Sequence, residues 1–260
     1  MTRPPLIAAL AFATLATQVA GAQGSVDARP LPFGLGESLE YEVRTSRLGN
    51  VGSSRMWIEG PVLERGVSTW QLRSEMEGGK GPIRASDRTA SWLDPRTFST
   101  LRFEKRERHL LSRSDEQVTI DRAARRWTDA EGPSGALAHD APLDELSFLY
   151  FLRTLPLGRD TTMEFARHFD AERNPTIVRV VGHDTLTTPA GIFRTAIVEM
   201  EVRDPKRYKG TGVIRLHISV GDCQMPVRIE SRMPLLGTTT LTLTGWSHPP
   251  GYPGATVCGE

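Results

Sequence analysis

From Glu37 to Thr244 the dominant period of the chain is two. Leu39, Tyr41 and Val43 alternate with Glu40, Glu42 and Arg44, which gives a strand one dry face and one wet face. The pattern recurs at Trp70 and Leu72, at Leu101 and Phe103, and at Val118 and Ile120, each set separated by polar residues. In the second half Ala196, Val198, Met200 and Val202 oppose Glu199 and Glu201, and Ile214, Leu216, Ile218 and Val220 oppose Arg215, His217 and Ser219. Val227 with Ile229, and Leu241 with Leu243, complete the series. A helical bundle would show a period near 3.6, and parallel strands would need long crossovers, so the pattern predicts an antiparallel meander.

Turn signals punctuate these runs at Leu48-Gly49-Asn50, Gly60-Pro61, Gly78-Gly79, Asp94-Pro95, Thr188-Pro189-Ala190-Gly191 and Leu236-Gly237. About a dozen strands are expected, enough for a sheet to curl strongly or to form an incomplete β-barrel. One segment departs from the period. Leu143, Leu146, Leu149, Tyr150 and Leu152 are spaced for a helix over roughly 143–155, with Asp144 and Ser147 near its start, where short polar side chains satisfy free N–H groups. It is apolar nearly all round, so it is expected to be buried in the concave side of the sheet. Residues 129–141, with Gly132, Pro133 and Gly135, read as a loop leading into it.

The N-terminus has the form of an export signal. Arg3 precedes an apolar stretch from Leu6 to Ala16, and Ala20-Gly21-Ala22 has the small-x-small pattern of a cleavage site. The stretch is well short of the ~20 residues that span a bilayer, so no transmembrane anchor is expected after cleavage. The expected organisation is a signal peptide at 1–22, one exported β-rich domain at 23–247, and a Pro/Gly-rich tail at 248–260. The formal charge of +1 falls to zero once Arg3 is removed. The 28 arginines are interspersed with carboxylates, as in Arg102-Phe103-Glu104-Lys105-Arg106-Glu107-Arg108, which reads as a solvated strand face rather than a nucleic-acid surface.

In an oxidising compartment the two cysteines, Cys223 and Cys258, are a candidate disulfide. With 34 residues between them, the bridge would contribute at most about 3.8 kcal/mol on a chain-entropy estimate.

Motifs that announce chemistry are missing: no Gly-x-Ser-x-Gly, no His-Glu-x-x-His, no Cys-x-x-Cys and no phosphate loop. No cofactor is implied. His168, Asp170 and Glu172, spaced by two, would share a face if they lay on one strand, and are candidate metal ligands. His139-Asp140 and His183-Asp184 are adjacent pairs that do not preform a dyad. Asp144, Ser147, Tyr150 and Arg153 make a polar stripe down the apolar helix and are candidate ligand-binding residues; the alternative is a hydrogen-bond network that docks the helix on the sheet. A buried Arg153 must either find carboxylate and carbonyl partners within the protein or receive an anionic headgroup.

Pro32-Phe33 with Gly36-Glu37, Leu39 and Tyr41, then Asp144-Glu145-Leu146-Ser147 running into Tyr150-Phe151-Leu152-Arg153, look like the exported bacterial family known as domain of unknown function 3108. The hairpin Thr188-Pro189-Ala190-Gly191-x-Phe193 and the strand Pro226-Val227-Arg228-Ile229 resemble its C-terminal signatures. The resemblance implies a periplasmic or secreted protein with a curved antiparallel sheet and no assigned activity. The two cysteines, the Pro-rich tail and Gly221-Asp222-Cys223-Gln224 depart from the family pattern. The expected function is non-catalytic binding of an apolar, lipid-like ligand in the concave face. The alternative is an envelope interaction module with a protein partner and no small-molecule ligand, and after it a metal-dependent hydrolase using the His168 set.

Overall fold

A computed structural model describes residues 31–81, 83–109, 113–204, 210–233 and 237–248. The expected export signal, the tail beyond His248 and Cys258 lie outside these residues. Eight strands come first: β1 Ser38–Thr45, β2 Gly49–Glu64, β3 Val67–Lys80, β4 Ile83–Asp94, β5 Ser99–Arg108, β6 Arg113–Asp121, β7 Arg126–Asp129 and β8 Ser134–Ala136. The helix α1, Glu145–Leu152, follows. Then come β9 Thr162–Phe165, a short 3-10 turn Ala171–Arg173, β10 Thr176–Thr188, β11 Gly191–Asp204, β12 Gly210–Ser219, β13 Pro226–Met233 and β14 Gly237–Ser247.

All the strands belong to one antiparallel sheet in the order β8-β7-β6-β5-β4-β3-β2-β1-β14-β13-β12-β11-β10-β9. Two meanders are thus joined where the first strand pairs with the last, through Leu39↔Trp246 and Val43↔Leu241. The sheet curls without closing by a strand ladder. Its two ends are drawn together by single bridges, Leu137↔Asp170 and Leu143↔His168, and by Phe169 N–H donating to Leu143 O at 3.0 Å. Phe169 also packs with Phe103, Val118, Ile120, Trp127 and Leu137 in a small second core.

The concave face can be followed row by row through the pairing. One row runs Leu216, Ile229, Leu241, Val43, Gly52, Gly78, Ala85. The next contains Leu243, Tyr41, Ser54, Met76, Asp87 and Glu107. Helix α1 lies against this face at one end, where Leu146, Phe148, Tyr150 and Leu152 join Phe33, Leu39, Tyr41, Ile58, Leu72, Leu93 and Val198 in the main core.

Four local expectations are corrected. Gly60-Pro61 does not end a strand; it sits inside β2, in the register shift between Glu59 and Val62, where a bulge takes proline, which has no N–H to donate, out of the ladder. Gly78-Gly79 lies within β3 and pairs with Ala85 and Arg84. The 129–141 segment holds β8, paired to β7 through Trp127↔Gly135. His168, Asp170 and Glu172 do not share a strand, because β9 ends at Phe165 and residues 171–173 wind into the 3-10 turn.

Candidate functional site

Two places on the concave side gather polar or accessible groups. The first is the seat of the helix. Asp144 is its N-cap: Oδ1 accepts from the N–H groups of Leu146 and Ser147 at 2.8 and 2.9 Å, and the Ser147 Oγ accepts from Asp144 N–H at 2.9 Å. This reciprocal box satisfies helix donors that would otherwise be buried unpaired. The other carboxylate oxygen accepts from Ser91 Oγ on β4 at 2.5 Å and Thr100 Oγ1 on β5 at 2.7 Å. One side chain therefore starts the helix and fixes it to two strands. Burial raises the Asp144 carboxyl above its usual range, and this outweighs the stabilising hydrogen bonds from Ser91, Ser147 and Thr100.

At the other end of α1, Arg153 is 1% exposed. Its guanidinium grips Glu37 in a bidentate pair, Nη1 to Oε1 at 2.6 Å and Nη2 to Oε2 at 2.8 Å. It also donates to the carbonyls of Gln224, Pro32 and Cys223 and stacks over the rings of Phe33 and Tyr150 at 4.9 and 5.3 Å. Burial would raise the Glu37 carboxyl, but the charge and hydrogen bonds of Arg153 hold it below the ordinary range. His248 Nδ1 lies 3.2 Å from Glu37 Oε2. The structure thus places Asp144 and Ser147 together at the start of the helix and Tyr150 and Arg153 together at its end, with the hydrogen bonds of Asp144, Ser147 and Arg153 directed into the protein. The Tyr150 hydroxyl is buried without a hydrogen-bond partner among the described residues.

His168 lines a cavity of about 120 Å³ beside the helix start, with Glu145, Phe148, Arg173 and Met200. Its Nδ1 accepts from Asp170 N–H at 3.0 Å, which places the ring proton of the neutral form on Nε2. Asp170 Oδ1 in turn accepts from Glu172 N–H at 3.0 Å. The His168 ring and the Asp170 carboxylate are each turned to a local backbone donor, and Glu172 enters this arrangement through its backbone N–H rather than its carboxylate. Burial, with the nearby Arg173 charge, lowers the His168 imidazole to about 4. Glu145 behaves oppositely: burial would raise it, but Lys105 and Arg173, at 2.8 and 2.6 Å, hold it well below the carboxylate range.

The second place lies at the far end of the concave face. There the inward row shrinks from Leu241 and Val43 to Gly52, Gly78 and Ala85, and a cleft of about 200 Å³ opens, lined by Val43, Val51, Met76, Ile229 and Leu241 with Gly78, Gly79 and Ala85. Thr45, Ser231, Thr239, Lys80 and His109 add its polar lining. Side chains cannot be added freely here: a Cβ on Gly52 would stand 2.0 Å from Glu77 O, and one on Gly78 would stand 3.1 Å from Val51 O.

Sequence reasoning missed Glu37 as the partner of Arg153, although Glu37 stands within the motif that carried the family resemblance. It also missed the cleft, because Gly78-Gly79 has the composition of a turn. The run Arg102 to Arg108 hides a further alternation. Arg102, Glu104 and Arg106 face outward, whereas Lys105 and Glu107 follow Phe103 onto the inner face, Lys105 being buried.

A strongly curled antiparallel sheet with a helix seated in one end and an open apolar cleft at the other is a barrel-like β architecture. One solved structure agrees with it at the level of fold. A beta-barrel-like protein of domain of unknown function DUF1849 from Brucella abortus superposes with a TM-score of 0.55 at 11% identity, covering 83% of this chain and 98% of that one. Fainter likenesses are an exported-type protein with a YmcC-like fold from Bacteroides fragilis, with TM-score 0.30, 12% identity and 84% and 98% coverage, and a lipoprotein-type chain from Parabacteroides distasonis, with TM-score 0.31, 10% identity and the same coverages. No curated protein matches the sequence. The chain belongs to the protein family of unknown function DUF3108, whose model matches residues 40–244.

Proposed function

We propose that this is an exported, non-catalytic protein that binds an apolar, lipid-like ligand in the cleft of its concave face. The observation that carries the reading is the cleft itself. Its volume, about 200 Å³, is far above the roughly 10–15 Å³ that a single water needs, and the side chains of Val43, Val51, Met76, Ile229 and Leu241 make it a poor site for water. A cleft with this lining suits an acyl chain with its polar end at Lys80 and His109. The seat of the helix is the less suited place, since Asp144, Ser147 and Arg153 already spend their hydrogen bonds on the protein. Export rests on the N-terminal signal and on the cysteine pair. Cys223 is buried, and a bond to Cys258 would tie the C-terminal tail beside the carbonyl that receives Arg153.

Native mass spectrometry of protein purified from its own envelope tests these points together. The expected result is a chain beginning at Gln23, lighter by two hydrogens without reductant, carrying an organic mass that solvent extraction removes. Ala85→Phe, which fills the cleft, is expected to abolish the adduct. A wild-type chain free of ligand, or a variant that keeps the same adduct, overturns the ligand reading; cross-linking of a protein partner to a ligand-free chain would establish the interaction module instead.

A further inference from the structure

Among the described residues the inner face of the sheet carries a few acidic groups, and two of them stand side by side next to a histidine. Asp87 on β4 and Glu107 on β5 are direct cross-strand neighbours. His109 follows two residues after Glu107, so all three side chains emerge on the same side. One ligand atom from each, the imidazole nitrogen and a carboxylate oxygen of either acid, lies within 4.8 Å of the other two. His109 Nε2 is 2.6 Å from Asp87 Oδ1. None of the three is fully buried, and His109 also lines the cleft.

Carboxylates placed directly opposite one another on adjacent strands repel. In a row that otherwise carries Leu243, Tyr41, Ser54 and Met76, such a charged pair departs from the pattern that builds the core, and departures of that kind mark functional positions. Lys105 contacts Glu107 at 3.3 Å but makes its shorter bond to Glu145, at 2.8 Å.

We infer that Asp87, Glu107 and His109 form a divalent-cation site in the wall of the cleft. Two carboxylates and a neutral imidazole balance a doubly charged ion. The donor set of two oxygens and one nitrogen suits a borderline metal such as Zn²⁺, whose bonds of about 2.0–2.2 Å to such atoms can be made by small side-chain rotations from the present spacing. On binding, the His109 proton resides on Nδ1 and the Nε2 lone pair faces the ion. Three protein ligands leave coordination positions open, and the ion could also receive an anionic group at the polar end of the cleft. The site stands whether or not the cleft carries an apolar ligand.

The test uses the untagged full chain, stripped with a chelator and titrated with Zn²⁺ against a chromophoric competitor. One Zn²⁺ per chain is expected. His109→Ala and Asp87→Asn are each expected to weaken binding by at least about tenfold, while His139→Ala, at an exposed loop histidine, leaves it unchanged. Far-UV circular dichroism checks folding of each variant, and Glu107→Gln replaces either one that does not fold. Zn²⁺ binding below one per chain overturns the inference, as does wild-type affinity in His109→Ala or Asp87→Asn.

Discussion

Arg153 carries a full charge into the interior, and its environment explains how the protein tolerates it. Taking an ion out of water costs several kcal/mol even after relaxation, and the offset here is a bidentate carboxylate, three carbonyls and two aromatic faces. The pair spans most of the chain, joining the segment before β1 to the end of α1 and to the Cys223-Gln224 turn. Removing one member leaves the other buried and uncompensated. Arg153→Met is expected to lower stability by about 3–5 kcal/mol. The double variant Arg153→Met with Glu37→Leu is expected to recover a large part of that loss, because neither charge is then buried. Urea unfolding of the two single variants and the double variant measures the coupling; strictly additive losses would refute it.

At the scale of elements, α1 has eight residues, too few to hold together in water on its own. Its existence depends on the cap and on the face it buries. Asp144→Ala removes a cap worth about 1 kcal/mol and leaves the Ser91 and Thr100 hydroxyls without their buried acceptor, at about 1–3 kcal/mol. A total loss of about 2–4 kcal/mol is expected in chemical denaturation, whereas Asp144→Asn, which retains an acceptor and still caps, is expected to lose clearly less. The helix and its cap were legible in the sequence because capping and apolar spacing are local. The strands were legible for the same reason wherever one face is dry. Gly60-Pro61 and Gly78-Gly79 were misread because glycine and proline serve both as turn formers and as residues of bulges and close approaches, and only the pairing partner tells which.

At the scale of the molecule, closure of the curl depends on the segments that connect the two ends of the sheet, and His168 lies at that junction. Its folded value near 4 stands below the ordinary 6.5. The unfolded chain therefore takes up the proton first as pH falls, so the contribution of His168 is fully present above about 6.5 and is lost progressively towards 4. Between pH 7 and pH 5 the protein is expected to lose about 2 kcal/mol through this group. Protonation would also have to displace the Asp170 N–H from Nδ1. Comparing unfolding free energies of wild type and His168→Gln at the two pH values isolates the effect; an identical pH dependence in both would refute it.

By itself the sequence determined the antiparallel class, the number of strands to within a few, the one buried helix, its cap and the family, since each is written in spacing over a handful of neighbouring residues. The tertiary structure alone decided that Arg153 meets Glu37, that β1 pairs with β14, that Asp87 faces Glu107 on the inner side, and that Gly52, Gly78 and Ala85 fall in one row and leave a cleft. These depend on register between strands far apart in the chain. A shift of one residue would turn each side chain to the opposite face, so no local pattern could reveal them.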